Sequence, residues 1–332
     1  MSDGAKGESQ HVGAVAKPSF GSRVKAHFKR FWWLHIIIFI IVFLVILLPV
    51  IYVGYPNIAQ SDVDDSTVEI TQMAITNPSP DSLDVNITQQ LGTDSAFHPQ
   101  FDEWDAVVYI GGTDTAFLNL HVPAFKAEDG TEIQVEQSVS LENADAFGEY
   151  ATAVMLNETV TLDIRGNPQL QEGKLPKIGV DFNKAVTMKG LNSLKGFDVT
   201  DFKILSMNKP DGSNMEGTVF IPNPSVMTLE MGNLTLNLAV AGENIGTSSL
   251  KDLTLHPGDN TVPMTSIVDQ AKVIKMVTGD YKDGMLPIDI TGNSTTYNGE
   301  ELPYYTAALS ANKVSVTLDV GSALDSLFGG GM

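Results

Sequence analysis

Val314-Ser315-Val316-Thr317-Leu318-Asp319-Val320 alternates apolar and polar side chains over seven residues. A period of two places alternate side chains on opposite faces, so the run predicts a strand with one face buried and the other wet. Residues 67–76 read the same way through Val68, Ile70, Met73 and Ile75, with a phase slip in the middle that one bulge would supply. Residues 115–122 alternate around Phe117 and stop at Pro123. Similar short runs recur at 160–164, 199–205, 218–221, 234–240 and 286–290. Many short strands separated by Gly, Pro and Asn turns predict an all-β chain of antiparallel sandwiches.

Two motifs then repeat in the same order. Ala74-Ile75-Thr76-Asn77-Pro78-Ser79 is echoed by Phe220-Ile221-Pro222-Asn223-Pro224-Ser225. Leu162-Asp163-Ile164-Arg165-Gly166-Asn167 is echoed by Ile288-Asp289-Ile290-Thr291-Gly292-Asn293. Ahead of each later motif lies a helical period, Phe147, Tyr150, Ala151 and Val154 in one copy and Ile267, Gln270, Ala271 and Ile274 in the other. The echoes predict two related domains, 60–185 and 186–321, with about 20 extra residues in the first around 91–112. Residues 322–332 read as a flexible tail. Proline ends a strand for want of an amide hydrogen, and Asn and Ser bond the local backbone, so Asn77-Pro78 and Asn223-Pro224 read as architectural turns.

Outward from the strands, residues 34–53 are Leu, Ile, Val or Phe at 17 of 20 positions. Twenty helical residues span about 30 Å, the thickness of a bilayer's hydrocarbon core. Residues 31–55 therefore predict a transmembrane helix, flanked by Trp32 and Trp33 on one side and Tyr52 and Tyr55 on the other. Residues 1–30 carry six basic and two acidic side chains, net +4, and read as a disordered cytoplasmic tail. The remaining 14 basic and 38 acidic residues give −24. The positive side stays cytoplasmic, which makes the chain type II with its bulk in a lumen or outside. A cleaved signal would have a shorter apolar core and a shorter leader, although Ala59-Gln60-Ser61 offers a cleavage site.

A net charge of −20 argues against a nucleic-acid partner, and the absence of cysteine removes disulfides, thiolate metal sites and cysteine nucleophiles. His98, His121 and His256 are scattered, with no metal-binding spacing. The acidic groups Asp62-Asp64-Asp65 and Asp102-Glu103-Asp105 lack the Gly and distal Glu of a calcium loop and read as solvated faces. No catalytic residue, metal ligand or cofactor is therefore expected. Asn-x-Ser/Thr sequons stand at Asn86, Asn157, Asn233 and Asn293, all beyond the apolar segment. Asn86 and Asn233 follow Asn77 and Asn223 by nine and ten residues, so they are expected on equivalent strands.

A single anchor followed by β-rich domains with a hydrophobic-x-Asn-Pro motif resembles the group-2 late embryogenesis abundant domain, also called the water-stress and hypersensitive-response domain. The whole arrangement, over about residues 30–320, is similar to fungal single-pass membrane proteins that carry such domains in the lumen, some at the vacuole. The resemblance implies two tandem immunoglobulin- or fibronectin-like sandwiches and an apolar groove suited to lipid. The expectation is a non-enzymatic, lumenal membrane protein, at the vacuolar or alternatively the plasma membrane, that binds lipid or another apolar ligand or scaffolds a membrane complex. The alternative is a glycan-processing or cell-wall enzyme with paired carboxylates.

Overall fold

The computed structural model describes residues 20–328, and the chain divides after Asn57 into two compact units. The first unit is helical. Helix α1 (Phe20–Pro49) runs into a π-helical turn (Val50–Gly54), in which Tyr55 N donates to Val50 O, and then into α2 (Tyr55–Asp65). The wider turn precedes Pro56, whose missing N–H would break a regular ladder. Phe31 leaves helical geometry (φ −116°, ψ 19°) where the basic stretch meets the apolar one. This is one helix long and apolar enough to cross a membrane, and none of its apolar span is buried against protein.

The larger unit is two β-sandwiches built alike. The first contains β1 (Thr67–Thr76), β2 (Ser82–Gly92), β3 (Gln100–Phe101), β4 (Trp104–Ile110), β5 (Ala116–Val122), β6 (Phe125–Lys126) and β7 (Glu132–Ser140). Helix α3 (Ala144–Leu156) follows, then β8 (Thr159–Gly166), β9 (Gln169–Gln171), β10 (Ile178–Gly179) and β11 (Phe182–Lys189). Sheet β1-β2-β7 faces sheet β5-β4-β8-β11, the three-on-four order of a fibronectin-like sandwich, and the short strands β3, β6, β9 and β10 form an accessory sheet. The phase slip in β1 is a bulge between Ile70 and Gln72. Between β5 and β7 a side chain stands in for ladder bonds: Gln137 Oε1 accepts from His121 N at 3.0 Å, and its Nε2 donates to Asn119 O at 3.3 Å.

After a 3-10 turn (Asn192–Leu194), the second sandwich runs β12 (Asp198–Ile204), β13 (Met215–Asn223), β14 (Met227–Val240), β15 (Glu243–Leu255) and β16 (Gly258–Val268). Helix α4 (Gln270–Thr278), β17 (Met285–Tyr297), β18 (Glu300–Glu301), α5 (Pro303–Ala311), β19 (Lys313–Asp319) and α6 (Val320–Phe328) complete it. Its strands pair as β12-β13-β16-β15-β14-β17-β19, the order of the first sandwich with the two sheets joined through β16 and β15. The start of β14 also pairs in parallel with β1, Met73 opposite Met227 and Ile75 opposite Leu229, so one eleven-stranded sheet passes through both sandwiches.

This topology revises several expectations. Asn77 follows the first strand of its sandwich, whereas Asn223 ends the second strand of the other, so the two Asn-Pro turns are not equivalent positions. Asn86 and Asn233 accordingly lie on a second and a third strand. The second echo does hold, because Asp163-Gly166 and Asp289-Gly292 lie on sixth strands directly after α3 and α4. Measured from true equivalents, Thr67 to Thr159 is 92 residues and Asp198 to Met285 is 87, so the 20-residue excess disappears. The junction shifts from 185/186 to residues 190–197, because β11 pairs along its whole length with β8. Residues 20–30 are helical, not a disordered tail, and the helix continues beyond 55 because Ala59 and Val63 are buried. Residues 322–328 belong to α6, ordered by burial of Val320 and Leu324. The parts of the two tail expectations covering 1–19 and 329–332 lie outside the described residues.

Candidate functional site

Each of the seven strands β12 to β17 and β19 sends an inward side chain to one largely apolar end of the second sandwich. Phe202, Met215, Leu238, Ile245, Val268, Leu286 and Leu318 line a cavity of about 30 Å³, capped by Val273 of α4 and by Val320 and Leu324 of α6. That space holds roughly one or two waters. The polar atoms at its rim are paired: Asn214 Nδ2 donates to Val268 O at 2.7 Å and Asn214 Oδ1 accepts from Val268 N at 2.9 Å. A second cavity of about 40 Å³ lies further along the same interior, among Leu234, Leu236, Leu250 and Ile290.

The two sandwiches are plugged differently at this end. Helix α3 inserts Phe147 and Tyr150, with Phe117 stacked on Tyr150 at 4.4 Å, and leaves about 20 Å³. The shorter α4 buries only Val273, and α6 completes the closure. Asp319 caps α6, accepting from Ser322 N at 2.9 Å and from the Ser322 hydroxyl at 2.7 Å; these bonds hold its carboxyl below the usual range. Burying Leu324 contributes about 1.5–3 kcal/mol to this closure.

Between the sandwiches the contacts are aromatic within and polar without. Phe147 meets Tyr304 edge-on at 5.0 Å, and the Tyr304 hydroxyl donates to Ser79 O at 3.0 Å. The buried Tyr150 hydroxyl sits between the sulfurs of Met73 and Met227 at 3.7 and 3.8 Å, and desolvation drives its pKa well up. At the surface Asn77, in the left-handed region (φ 47°), donates from its backbone N to Glu230 Oε2 at 2.8 Å and from Nδ2 to Asp84 Oδ2 at 2.7 Å. Ser138 also bonds Asp84, and these two donors lower its pKa. Tyr297 donates to Glu230 Oε1 at 3.0 Å. Asn223 is buried, with Nδ2 on Met227 O at 2.8 Å and Oδ1 accepting from Ser225 N and its hydroxyl at 3.0 and 2.6 Å. Both asparagines are spent on turns, and Pro78 and Pro224 follow them out of the strands.

Gly166 and Gly292 share a packing role. A Cβ on Gly166 would run into the Trp104 ring and stand 2.9 Å from Asp105 O; one on Gly292 would stand 2.5 Å from Leu309 Cβ and 2.6 Å from Leu309 C. The aspartates of the motif hold cations instead. Asp163 pairs with Arg165 at 3.3 Å, and Asp289 pairs with Lys313 at 2.7 Å while accepting from Ser315 at 2.6 Å.

One cluster escaped the sequence reading. Lys184 is buried and donates to the carbonyls of Asp64 at 2.9 Å and Ser66 at 2.5 Å, tying the end of α2 to β11, while desolvation lowers its pKa. Beside it Gln60 exchanges two 2.8 Å bonds with the backbone of Asp181. The signal was present: in β11 Phe182, Lys184, Val186 and Met188 share the buried phase, which puts a lysine where alternation demands an apolar residue. Replacing Lys184 by methionine keeps the stem and strips both carbonyls of their donor. Chemical denaturation of the variant should show a loss of about 2 kcal/mol, and an unchanged midpoint would contradict the clasp.

All four sequon asparagines are exposed: Asn86 on β2, Asn157 at the end of α3, Asn233 on β14 and Asn293 on β17. The acidic runs have local partners, Asp62 with Ser95, Asp102 with Lys177 and Asp105 with His121. Among the described residues no group of three or more His, Asp or Glu could hold a metal ion.

Residues 115–238, from β5 of the first sandwich to β14 of the second, match a family model described as a protein of unknown function, DUF3712. No curated protein matches the chain. Among solved structures, the periplasmic chaperone SfaE is 12% identical over 71% of this chain and 95% of its own, with a TM-score of 0.18. A red sea bream transglutaminase is 11% identical over 74% of this chain and 30% of its own, with a TM-score of 0.21. Superpositions this loose carry nothing about fold or activity. What the comparisons give is a similarity of the central 124 residues to DUF3712, lying across both sandwiches.

Proposed function

We propose that this is a non-enzymatic, type II single-pass membrane protein that holds its paired sandwiches in an endomembrane lumen, where they take up lipid or another apolar ligand. The observation that carries the reading is the predominantly apolar, helix-capped end of the second sandwich, beyond an apolar helix preceded by basic residues. The resemblance to lumenal late-embryogenesis-abundant-like proteins supplies the vacuolar membrane as the compartment, with the plasma membrane as the alternative. A glycan-cleaving acid needs a carboxyl raised above its ordinary range, and Asp84, Glu128, Asp211, Glu216, Asp289 and Asp319, displaced downward by hydrogen-bond donors or lysines, do not supply one.

The second reading, a scaffold for a membrane complex, is favoured by the parallel β1–β14 pairing, which fixes the sandwiches to each other. Solvent extraction of the full chain purified from its native membrane, followed by mass spectrometry, separates the two. The apolar-ligand reading expects one lipid class enriched over the bulk membrane. An extract with the composition of the surrounding membrane favours the scaffold.

A further inference from the structure

We propose that the loop at residues 93–99 and the adjoining face of α2 make a shallow membrane contact, in which Phe97 and Ile58 enter the interfacial layer of an uncharged, phosphatidylcholine-type bilayer. The inference rests on the single-span reading of the apolar helix and is independent of the side on which the sandwiches lie. Among the described residues after 53, the exposed large apolar side chains are Ile58, Phe97, Met207, Ile267 and Met285, and Phe97, 54% exposed, is the only aromatic one. Single exposed aliphatics are ordinary on a protein surface. Phe97 and Ile58 differ in being brought to one face of one helix. Ile58 and Asp62 are a turn apart on α2 and share a face. Asp62 Oδ2 accepts from the Ser95 hydroxyl at 2.8 Å, and Phe97 N donates to Ser95 Oγ at 3.1 Å, so that face carries the loop. The loop is also held on both flanks, where Thr93 N donates to Asp129 Oδ1 at 3.2 Å and the His98 ring bonds Ala127 O at 3.3 Å. A fixed loop thus holds a bare ring in water, and burial of that ring in an apolar layer is favourable.

The chain itself supplies the layer. Ile58 follows the apolar stretch 34–53 by five residues and lies about 5 Å along α2 from Tyr55, at the depth where aromatic side chains meet headgroups. Asp62 stands one further turn, about 6 Å, along the same helix, and Phe97 is two residues from the serine bonded to it. The loop leaves β2 at Gly92, opposite Thr67, so it belongs to the end of the first sandwich that α2 joins. Charge sets the kind of lipid. No Lys or Arg stands between 31 and 125, while Asp62, Asp64, Asp65 and Asp94 flank the two apolar residues. Such a contact is apolar in its attraction and is repelled by anionic headgroups.

The chain has no cysteine, so single cysteines carrying a nitroxide report on the full chain in phosphatidylcholine vesicles. Ala96→Cys places the label beside Phe97, Val45→Cys marks the span, and Met207→Cys marks an exposed loop of the second sandwich. Relaxation by oxygen, which concentrates in lipid, is compared with relaxation by a nickel chelate present on both sides of the membrane, which stays in water. The oxygen-to-nickel ratio at 96 is expected to fall between those at 45 and 207. Phe97→Ser, a change at an exposed position, should return it to the value at 207, and exchanging part of the lipid for phosphatidylserine should lower it. A label at 96 as wet as that at 207, with the label at 45 deep in lipid, would overturn the contact and leave the span standing. A label at 45 in water would overturn the span and the contact with it. Lipid contact at 96 unmoved by Phe97→Ser would overturn the role of the ring, and a rise with phosphatidylserine would overturn the choice of an uncharged lipid.

Discussion

Phe147→Ala is expected to cost about 3–5 kcal/mol, the range for emptying a fully buried aromatic site. Phe147 is among the largest side chains almost wholly excluded from solvent, and it serves both sandwiches. It fills the end of the first one and meets Tyr304 of the second edge-on. Loss of the ring therefore removes a plug and a joint together. Thermal unfolding of the larger unit, followed by near-ultraviolet circular dichroism, should drop in midpoint and broaden or split as the sandwiches uncouple. A small shift with a single sharp transition would mean that the β1–β14 pairing alone holds them.

Gly292→Val is expected to be comparably damaging for the opposite reason. Its backbone lies against α5, and any Cβ there collides with Leu309 and the amide of Ser310, which stands 2.8 Å away. The helix would have to move, and it carries Tyr304 and Tyr305 in the junction. Overpacking of this kind typically costs 1–3 kcal/mol, and a β-branched residue against backbone belongs at about 3 or above. Gly166→Val should behave alike against Trp104. Neither glycine has a positive φ, and alanine already carries the colliding Cβ, so Gly292→Ala should also lower the denaturant midpoint, by less than the bulkier valine. An alanine variant as stable as the unaltered chain would contradict the collision.

The strands were legible wherever one face is buried, because alternation is a local property. The runs 314–320 and 67–76 read as strands, the second down to the bulge that shifts Met73 into phase; the first is observed as 313–319, with Val320 opening α6. What failed was the pairing of the two Asn-Pro turns. Proline after asparagine ends strands of many kinds, so Asn77 and Asn223 look alike in sequence while one lies exposed in the left-handed region and the other is buried in a turn. The Asp-Ile-x-Gly-Asn echo succeeded because neither glycine leaves room for a Cβ, against Trp104 in the first sandwich and against Leu309 in the second. Helix α4 begins at Gln270, three residues after the apolar Ile267 that suggested it, since Ile267 still belongs to β16. The candidate site was legible only as an expectation of an apolar interior. Its position depends on which strand ends meet in space and on α6, whose Val320 and Leu324 follow directly on the alternating run of β19.

Sealed vesicles bearing the full chain test the account at its centre, the placement of both sandwiches in a lumen behind one membrane span. Added protease should remove only the segment before the span, and endoglycosidase after solubilisation should increase gel mobility, with part of that shift lost in the Asn86→Gln, Asn233→Gln double variant. Digestion of the sandwiches in sealed vesicles, with no mobility change on glycosidase treatment, would put them on the cytoplasmic side and contradict the account.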